Sequence, residues 1–226
     1  MPKTPDTQPP AQRSVFFYVD GFNLYHRRLK QNPSLKWLNL LALAKRFFPN
    51  DRVDSVNFFT AQVDPDDETS KKRERQRLYW TALRSVGVKL FFGNYEKREM
   101  QCQVEACEMR AIYWTWKEKK TDVKLALQIV DDFLEKHPDV ICVVSADTDV
   151  LPALDMVGRK ALKLKQKVKI ILVLPSATDD EYFSRNPLIG SLAQSASLPE
   201  EYLRDSLFPN QITSGGIVYQ KPPGWS

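Results

Sequence analysis

Short runs of apolar residues recur along the chain, and each has the length of a buried β-strand. The clearest runs lie at residues 15–19, 88–92, 140–144 and 168–174, and a more mixed run lies at 53–62. Runs that are apolar without alternation are typical of parallel strands that helices cover on both faces. The pattern therefore predicts five strands, of which 15–19 and 140–144 are central.

Segments with apolar residues at helical spacing separate these strands. They predict helices at residues 24–31, 35–48, 71–86, 122–137 and 151–164, followed by short helices at 180–185, 188–195 and 199–207. Strands that alternate with helices favour a doubly wound arrangement with right-handed crossovers. We predict a three-layer, Rossmann-like α/β fold with a mostly parallel five-stranded sheet.

One segment departs from this alternation. Residues 95–116 alternate polar and apolar side chains around a turn, which indicates a β-hairpin inserted near 95–116. Cys102 and Cys107 flank that turn, and their spacing matches no common zinc motif, so two free thiols are expected.

The ends of the chain differ in composition from its middle. Residues 1–13 are polar and proline-rich and predict a disordered lead-in, 14–213 form the predicted domain, and the glycine- and proline-rich residues 214–226 predict a flexible tail. No apolar run approaches the length of a membrane span, and the start lacks the apolar centre of a signal peptide. A cytoplasmic location is expected.

Aspartates stand where the predicted strands end. Asp20 follows 15–19, Asp147 and Asp149 follow 140–144, and Asp122 opens the helix that leads into the latter strand. Right-handed crossovers bring all four carboxylates to one edge of the sheet, where open α/β sheets bind ligands. A divalent cation would offset their repulsion, and oxygen ligands without His or Cys favour Mg²⁺ or Mn²⁺.

Purely structural roles remain open for some of these residues. Asp149 could cap the helix that begins at residue 150, and Asp122 could complement the positive end of its own helix. Asn23 could hold a turn through its own backbone or could position Asp20.

Three motifs resemble the NYN domain, a branch of the PIN-like nucleases related to LabA-type proteins. They are VDGFNLYH at 19–26, KKTDVKLAL at 119–127 and SADTDVLPAL at 145–154, and the resemblance covers 14–209. It implies a PIN-like fold and a metal-dependent ribonuclease with a catalytic and metal-binding cluster of Asp20, Asp122, Asp147 and Asp149, supported by Asn23 and Ser145. The wider group also uses a helical glutamate, for which Glu96, Glu99 and Glu118 are unmatched candidates.

The charge distribution bears on the partner. A net charge of +5 and a pI near 9.0 favour a polyanion. Lys119 and Lys120 lie directly before Asp122, so we expect them to bind substrate, whereas the denser basic run at 71–77 fits a solvated helix face better.

The aspartate cluster and the resemblance to the NYN domain together predict a metal-dependent ribonuclease, with endonucleolytic cleavage favoured over exonucleolytic cleavage. The alternative is an RNA-binding or adaptor module with the same fold that cleaves nothing. An intact set of aspartates favours the enzyme, because an anionic crevice does not help a protein that only binds phosphates. The RNA substrate, the number of metal ions, a homo-oligomer and a protein partner that supplies specificity stay open.

Overall fold

The computed structural model of the protein describes residues 12–62, 70–102, 110–176 and 193–225. The strands are β1 (Ser14–Asp20), β2 (Arg52–Thr60), β3 (Lys89–Phe92), β4 (Asn94–Gln101), β5 (Ile112–Lys119), β6 (Val140–Val144), β7 (Lys169–Leu174), β8 (Gln194–Ser197), β9 (Gln211–Ser214) and β10 (Ile217–Gln220). The helices are α1 (Gly21–Leu24), α2 (Leu40–Phe47), α3 (Ser70–Ser85), α4 (Thr121–Lys136), α5 (Leu151–Leu164) and α6 (Glu200–Asp205). A π-helical turn spans Tyr25–Leu29, and 3-10 turns span Pro33–Leu35 and Thr148–Val150.

The main sheet has six strands in the order β3-β2-β1-β6-β7-β8, and every neighbouring pair is parallel. The predicted α/β fold class is confirmed, but the predicted number of five strands is wrong. The additional strand is β8, whose sequence QSAS carries neither β-branched nor large apolar residues. It forms the sheet edge by backbone pairing with β7, which a side-chain pattern cannot reveal.

The expected helix at 188–195 does not extend through its last residues, because Gln194 and Ser195 belong to β8. Its earlier residues up to 192, and the expected helix at 180–185, lie outside the described residues. The expected helix at 199–207 corresponds to α6.

Helices cover both faces of this sheet, which makes three layers. One face packs against α2, α3 and α6 through residues such as Leu43, Leu83 and Leu203. The other face packs against α4 and α5 through residues such as Ile129 and Leu154. Since β1 alternates its side chains between the two cores and is buried on both, it is the central strand of the fold.

The predicted central pairing is confirmed. β1 and β6 are adjacent and parallel, with Val15 opposite Val140 and Val19 opposite Val144. The residues that follow these strands, Asp20 and Ser145, therefore emerge side by side at the carboxyl edge of the sheet. Most open α/β proteins bind their ligands at that edge.

The predicted inserted hairpin is also confirmed. β4 and β5 pair antiparallel as a separate two-stranded sheet, with Asn94 opposite Lys119 and Gln101 opposite Ile112. The residues that join them at 103–109, including Cys107, lie outside the described residues. The hairpin leads directly into α4 and so carries Lys119 and Lys120 to the edge where that helix begins.

The C-terminal residues fold back onto the domain. β9 and β10 form an antiparallel hairpin, and Trp225 beyond it packs against Trp37 and Tyr79, with ring centroids 6.1 Å and 5.9 Å away. The indole of Trp37 donates a hydrogen bond to the carbonyl of Pro209 at 2.8 Å. The end of the chain thus contributes to the same face of the domain as α3.

Two cysteines lie within the described residues. Cys142 lies fully buried in β6, where desolvation raises the pKa of its thiol, and Cys102 is half-buried without a disulfide partner among the described residues. Across the described ranges, the helices are too short or too polar to cross a membrane.

Candidate active site

Asp20 lies at the junction of β1 and α1 and has both carboxylate oxygens fixed. It caps α1: Oδ1 accepts a hydrogen bond from the backbone N–H of Asn23 at 2.9 Å. Oδ2 accepts one from the hydroxyl of Ser145, also at 2.9 Å. Asp20 is only 3% exposed, so its carboxylate is buried at the carboxyl edge of the sheet rather than open to solvent.

Two polar side chains link the loops that follow β1 and β6. Ser145 donates to Asp20, and its Oγ accepts a hydrogen bond from the backbone N–H of Asp147 at 3.0 Å. The side-chain oxygen of Asn23 accepts from the backbone N–H of Ala146 at 3.0 Å. The side chain of Asn23 therefore bonds across to the neighbouring loop, while its backbone N–H bonds to Asp20.

Asp147 and Asp149 occupy the 3-10 turn that precedes α5. The half-buried Asp147 caps this turn, since its Oδ1 accepts from the backbone N–H of Asp149 at 3.0 Å. Asp149 is exposed, and α5 begins after Val150 without a side-chain cap. The alternative in which Asp149 serves as the helix cap is thus wrong, because Asp147 has the capping role.

Asp122 lies on a third element. It lies exposed in the first turn of α4, where a carboxylate complements the positive end of the helix dipole. Lys120, just before this helix, has a left-handed backbone with φ 75°, and its Nζ lies 4.0 Å from a carboxylate oxygen of Glu96. Lys119 is half-buried at the end of β5.

The glutamate candidates do not lie on a helix. Glu96 and Glu99 are exposed on β4, and the side chain of Glu118 lies outside the described part of the structure. Within the described ranges, no group of three or more His, Cys, Asp or Glu side chains forms a ready-made metal site. Hydrogen bonds through Ser145 link the carboxylate of Asp20 to the backbone of Asp147, and the negative charge of Asp147 acts on Asp20.

Burial and charge both act on Asp20. Desolvation is the main cause that raises the pKa of its carboxyl group, and the negative charge of Asp147 raises it further. Hydrogen bonds from the backbone of Asn23 and from Ser145 oppose this shift but do not cancel it. The ionised carboxylate is therefore held at this position at a cost in folding free energy.

Replacing Asp20 by Asn is expected to raise the melting temperature of the metal-free protein at neutral pH. Asn can still cap α1, and it removes a buried charge. Because the folded-state pKa of Asp20 is raised, the wild type loses stability as the pH rises through that pKa, so the gain should vanish below the ordinary pKa of aspartate. Each kcal/mol recovered corresponds to about 2–4 °C for a domain of this size. Thermal unfolding of the wild type and the variant in EDTA at several pH values measures this gain. A lower melting temperature of the variant at neutral pH would contradict the prediction.

A pocket of about 480 Å³ opens beside these carboxylates. It reaches Gly21 and Phe22, which directly follow Asp20, and Thr121, which directly precedes Asp122. We call it the side pocket, and its remaining lining residues are Leu24, Tyr25, His26, Leu29, Lys36, Phe58, Thr60, Ala61, Lys72, Arg75, Gln76, Tyr79, Trp80, Tyr95 and Trp225. Aromatic and cationic side chains thus share one cavity at the candidate site.

Sequence reasoning missed most of this pocket. It treated the basic run at 71–77 as a solvated face, but Lys72 and Arg75 line the cavity. A signal was present near Asp20, where Phe22 and Tyr25 place aromatic rings just before His26, Arg27 and Arg28. No local pattern could have joined Lys36 and Trp225 to them.

Most of the chain matches a known protein family. The sequence pattern of the NYN domain matches residues 14–184. The chain is also similar to the 6-hydroxy-3-succinoylpyridine 3-monooxygenase HspA of Pseudomonas putida, with 29% identity over 203 residues, covering 76% of this chain and 62% of that protein. The chain thus spans less than two thirds of the length of this relative.

Comparison of structures supports the fold alone. A protein of unknown function from Vibrio parahaemolyticus has a similar crystal structure, with a TM-score of 0.53 and 14% sequence identity. The similarity covers 89% of this chain and 100% of that one.

Proposed function

The chain belongs to the NYN domain family, part of the PIN-like nuclease superfamily, and we propose that it is a metal-dependent ribonuclease that cleaves RNA phosphodiester bonds endonucleolytically. The observation that carries this proposal is the Ser145 hydroxyl, which links the carboxylate of Asp20 to the backbone of Asp147 through bonds of 2.9 Å and 3.0 Å. Two acids are thereby held together at the ligand-binding edge of a parallel sheet.

The donor set fits a hard divalent cation. Asp20 and Asp147 offer carboxylate oxygens, and in this proposal the exposed carboxylates of Asp149 and Asp122 join them. Mg²⁺ is commonly held by only one or two carboxylates together with water and substrate phosphates, so a closed set of three protein ligands is not required. A cation would also offset the burial and repulsion that raise the pKa of Asp20. We propose these four aspartates as the ligands of Mg²⁺ or Mn²⁺.

The neighbouring residues have positioning roles in this proposal. Ser145 and the backbone of Asn23 fix the orientation of the Asp20 carboxylate, and the amide of Asn23 fixes the loop that carries Asp147. Asp149 and Asp122 are open to solvent, where a carboxylate can orient a water molecule or accept its proton. The cation itself would supply positive charge for the phosphate oxygens and acidify water.

Basic side chains flank the acidic edge and would hold the polyanion. Members of the NYN family generally act on nucleic acids, and the net charge of +5 suits that substrate class. Lys119 and Lys120 remain our proposed substrate contacts from the hairpin side. Lys36, Lys72 and Arg75 add positive charge on the side of the pocket.

The proposal is tested by incubating the purified protein with labelled single-stranded RNA in Mn²⁺, in Mg²⁺ and in EDTA. We expect internal cleavage products with either metal and intact RNA in EDTA. Cleavage that persists in EDTA would show that the reaction does not depend on a divalent metal ion. RNA that is bound but stays uncut under every divalent metal would favour the adaptor with the same fold.

A second candidate function is oxygenation of a small aromatic acid. It is favoured by the activity for which the Pseudomonas putida relative is named and by the aromatic and cationic lining of the side pocket. It predicts consumption of O₂ when a reductant and a hydroxylated pyridine carrying a carboxylate are supplied together. A respirometric assay separates it from the nuclease, which consumes no O₂.

A further inference from the structure

The side pocket has the size and position of a binding site for one small ligand. Its volume of about 480 Å³ lies within the range of ordinary small-molecule pockets. Because Gly21, Phe22 and Thr121 belong to its lining, the pocket adjoins the residues next to Asp20 and Asp122. A molecule bound there would extend to the proposed site of cleavage.

Two cations on separate elements line the pocket. Lys36 follows the 3-10 turn after α1, and Arg75 belongs to α3. Desolvation lowers the pKa of the Lys36 ammonium, and the positive charge of Arg75 lowers it further, so the two charges are close enough to repel each other. Neither side chain forms an ion pair within the described part of the chain. An anionic group placed between them would relieve this repulsion.

Aromatic rings also line the pocket. Phe22 is 56% exposed even though it is a large apolar residue, and its ring lies 4.2 Å from the ring of His26. The ammonium nitrogen of Lys36 lies over the ring of Tyr25, 5.4 Å from the ring centroid. Trp80 and Trp225 contribute further ring surface. Exposed rings beside cations are the arrangement that proteins use to stack bases while holding the strand backbone.

We propose that the side pocket binds one nucleotide of the substrate strand, with its base against Phe22 and its phosphate between Lys36 and Arg75. This inference rests on the proposed nuclease function. The bound nucleotide would anchor the strand so that a neighbouring phosphodiester lies at Asp20 and Asp147. The pocket would then fix where the strand is cut relative to the anchored base.

Binding in EDTA tests the pocket without requiring cleavage. The probes are adenosine 5′-monophosphate, adenosine, ribose 5-phosphate, a 2′-O-methylated tetranucleotide and a hydroxylated pyridine carboxylate, titrated by calorimetry. Arg75→Ala should weaken binding of the monophosphate roughly tenfold but leave the affinity for adenosine unchanged, because only the monophosphate carries an anionic group. Phe22→Ala should weaken binding of both adenosine and the monophosphate roughly tenfold. The affinity for ribose 5-phosphate should not change, because ribose 5-phosphate has no base to stack on the ring.

Arg77→Ala is the matched control, since Arg77 is an exposed arginine on the same helix and does not line the pocket. It should bind every probe as the wild type does. Equal affinities of all three variants for the monophosphate would overturn the proposal, as would tighter binding of a pyridine carboxylate than of any nucleotide. Tighter binding of the tetranucleotide than of the monophosphate supports a strand site, and the reverse order would overturn that assignment.

Failure of the pocket and failure of the nuclease remain distinguishable. If the wild type binds nucleotides in EDTA but cuts no RNA in Mn²⁺, the proposed function fails and the pocket stands. If the wild type cuts RNA and Arg75→Ala keeps the wild-type affinities and cleavage positions, the pocket fails and the nuclease stands.

Discussion

Replacing Asp147 by Asn is expected to reduce metal-dependent RNA cleavage by roughly 100-fold or more, since loss of even an outer partner of a metal site commonly costs 10- to 100-fold. The amide keeps an oxygen that can accept from the backbone N–H of Asp149, so the 3-10 turn should survive. What is lost is one negative charge beside Asp20. Initial cleavage rates of labelled RNA in Mn²⁺ measure the effect.

Asp155→Asn is the matched control for this variant. Asp155 lies on α5, pairs with Arg159 at 2.9 Å and lies outside the cluster, so the same change in net charge is made elsewhere. We expect this control to cleave at the wild-type rate. Both variants should bind RNA in EDTA, and Asp147→Asn should bind it at least as tightly because repulsion of the phosphates is reduced. Equal cleavage by both variants would exclude Asp147 from the reaction.

The centre of the sheet could be predicted from sequence because its residues have few alternatives. A run such as VFFYV or VICVV is apolar at every position and must be covered on both faces, which makes it a central parallel strand. Parallel central strands end at the same edge, so the proximity of Asp20 to Asp147 follows from topology. Ser145 was carried over from the resemblance alone, and its hydrogen bond to Asp20 required the structure.

The parts that sequence could not predict depend on contacts between distant residues or on backbone pairing. β8 contains only small and polar residues and exists because its backbone completes the edge of β7. The side pocket combines Lys36, Arg75 and Trp225, which no local periodicity connects. The choice of Asp147 over Asp149 as the cap depends on the 3-10 turn that precedes α5, which shifts the start of that helix.

Replacing Gly21 by Ala is expected to lower both stability and cleavage, because Gly21 lies between Asp20 and Phe22 and has no room for a side chain. A Cβ there would lie 2.6 Å from two ring atoms of Phe58 and 2.7 Å from the backbone carbonyl oxygen of Phe59. Overpacking of this kind costs about 1–3 kcal/mol. For a domain of this size, that lowers the melting temperature by roughly 2–12 °C. Thermal unfolding and RNA cleavage measure the two effects.

Two further variants identify the cause. Phe58→Leu shortens the ring that the new Cβ meets, so combining it with Gly21→Ala should recover part of the lost stability in a double-mutant cycle. Recovery should be incomplete, because the carbonyl of Phe59 belongs to β2 and cannot withdraw without breaking the strand pairing with β1. Gly87→Ala has open space around it but a φ of +86°, so it should cost stability without reducing the cleavage rate of the folded protein. If Gly21→Ala instead matches the wild type in both measurements, the turn that holds Asp20 is not fixed by its packing against β2.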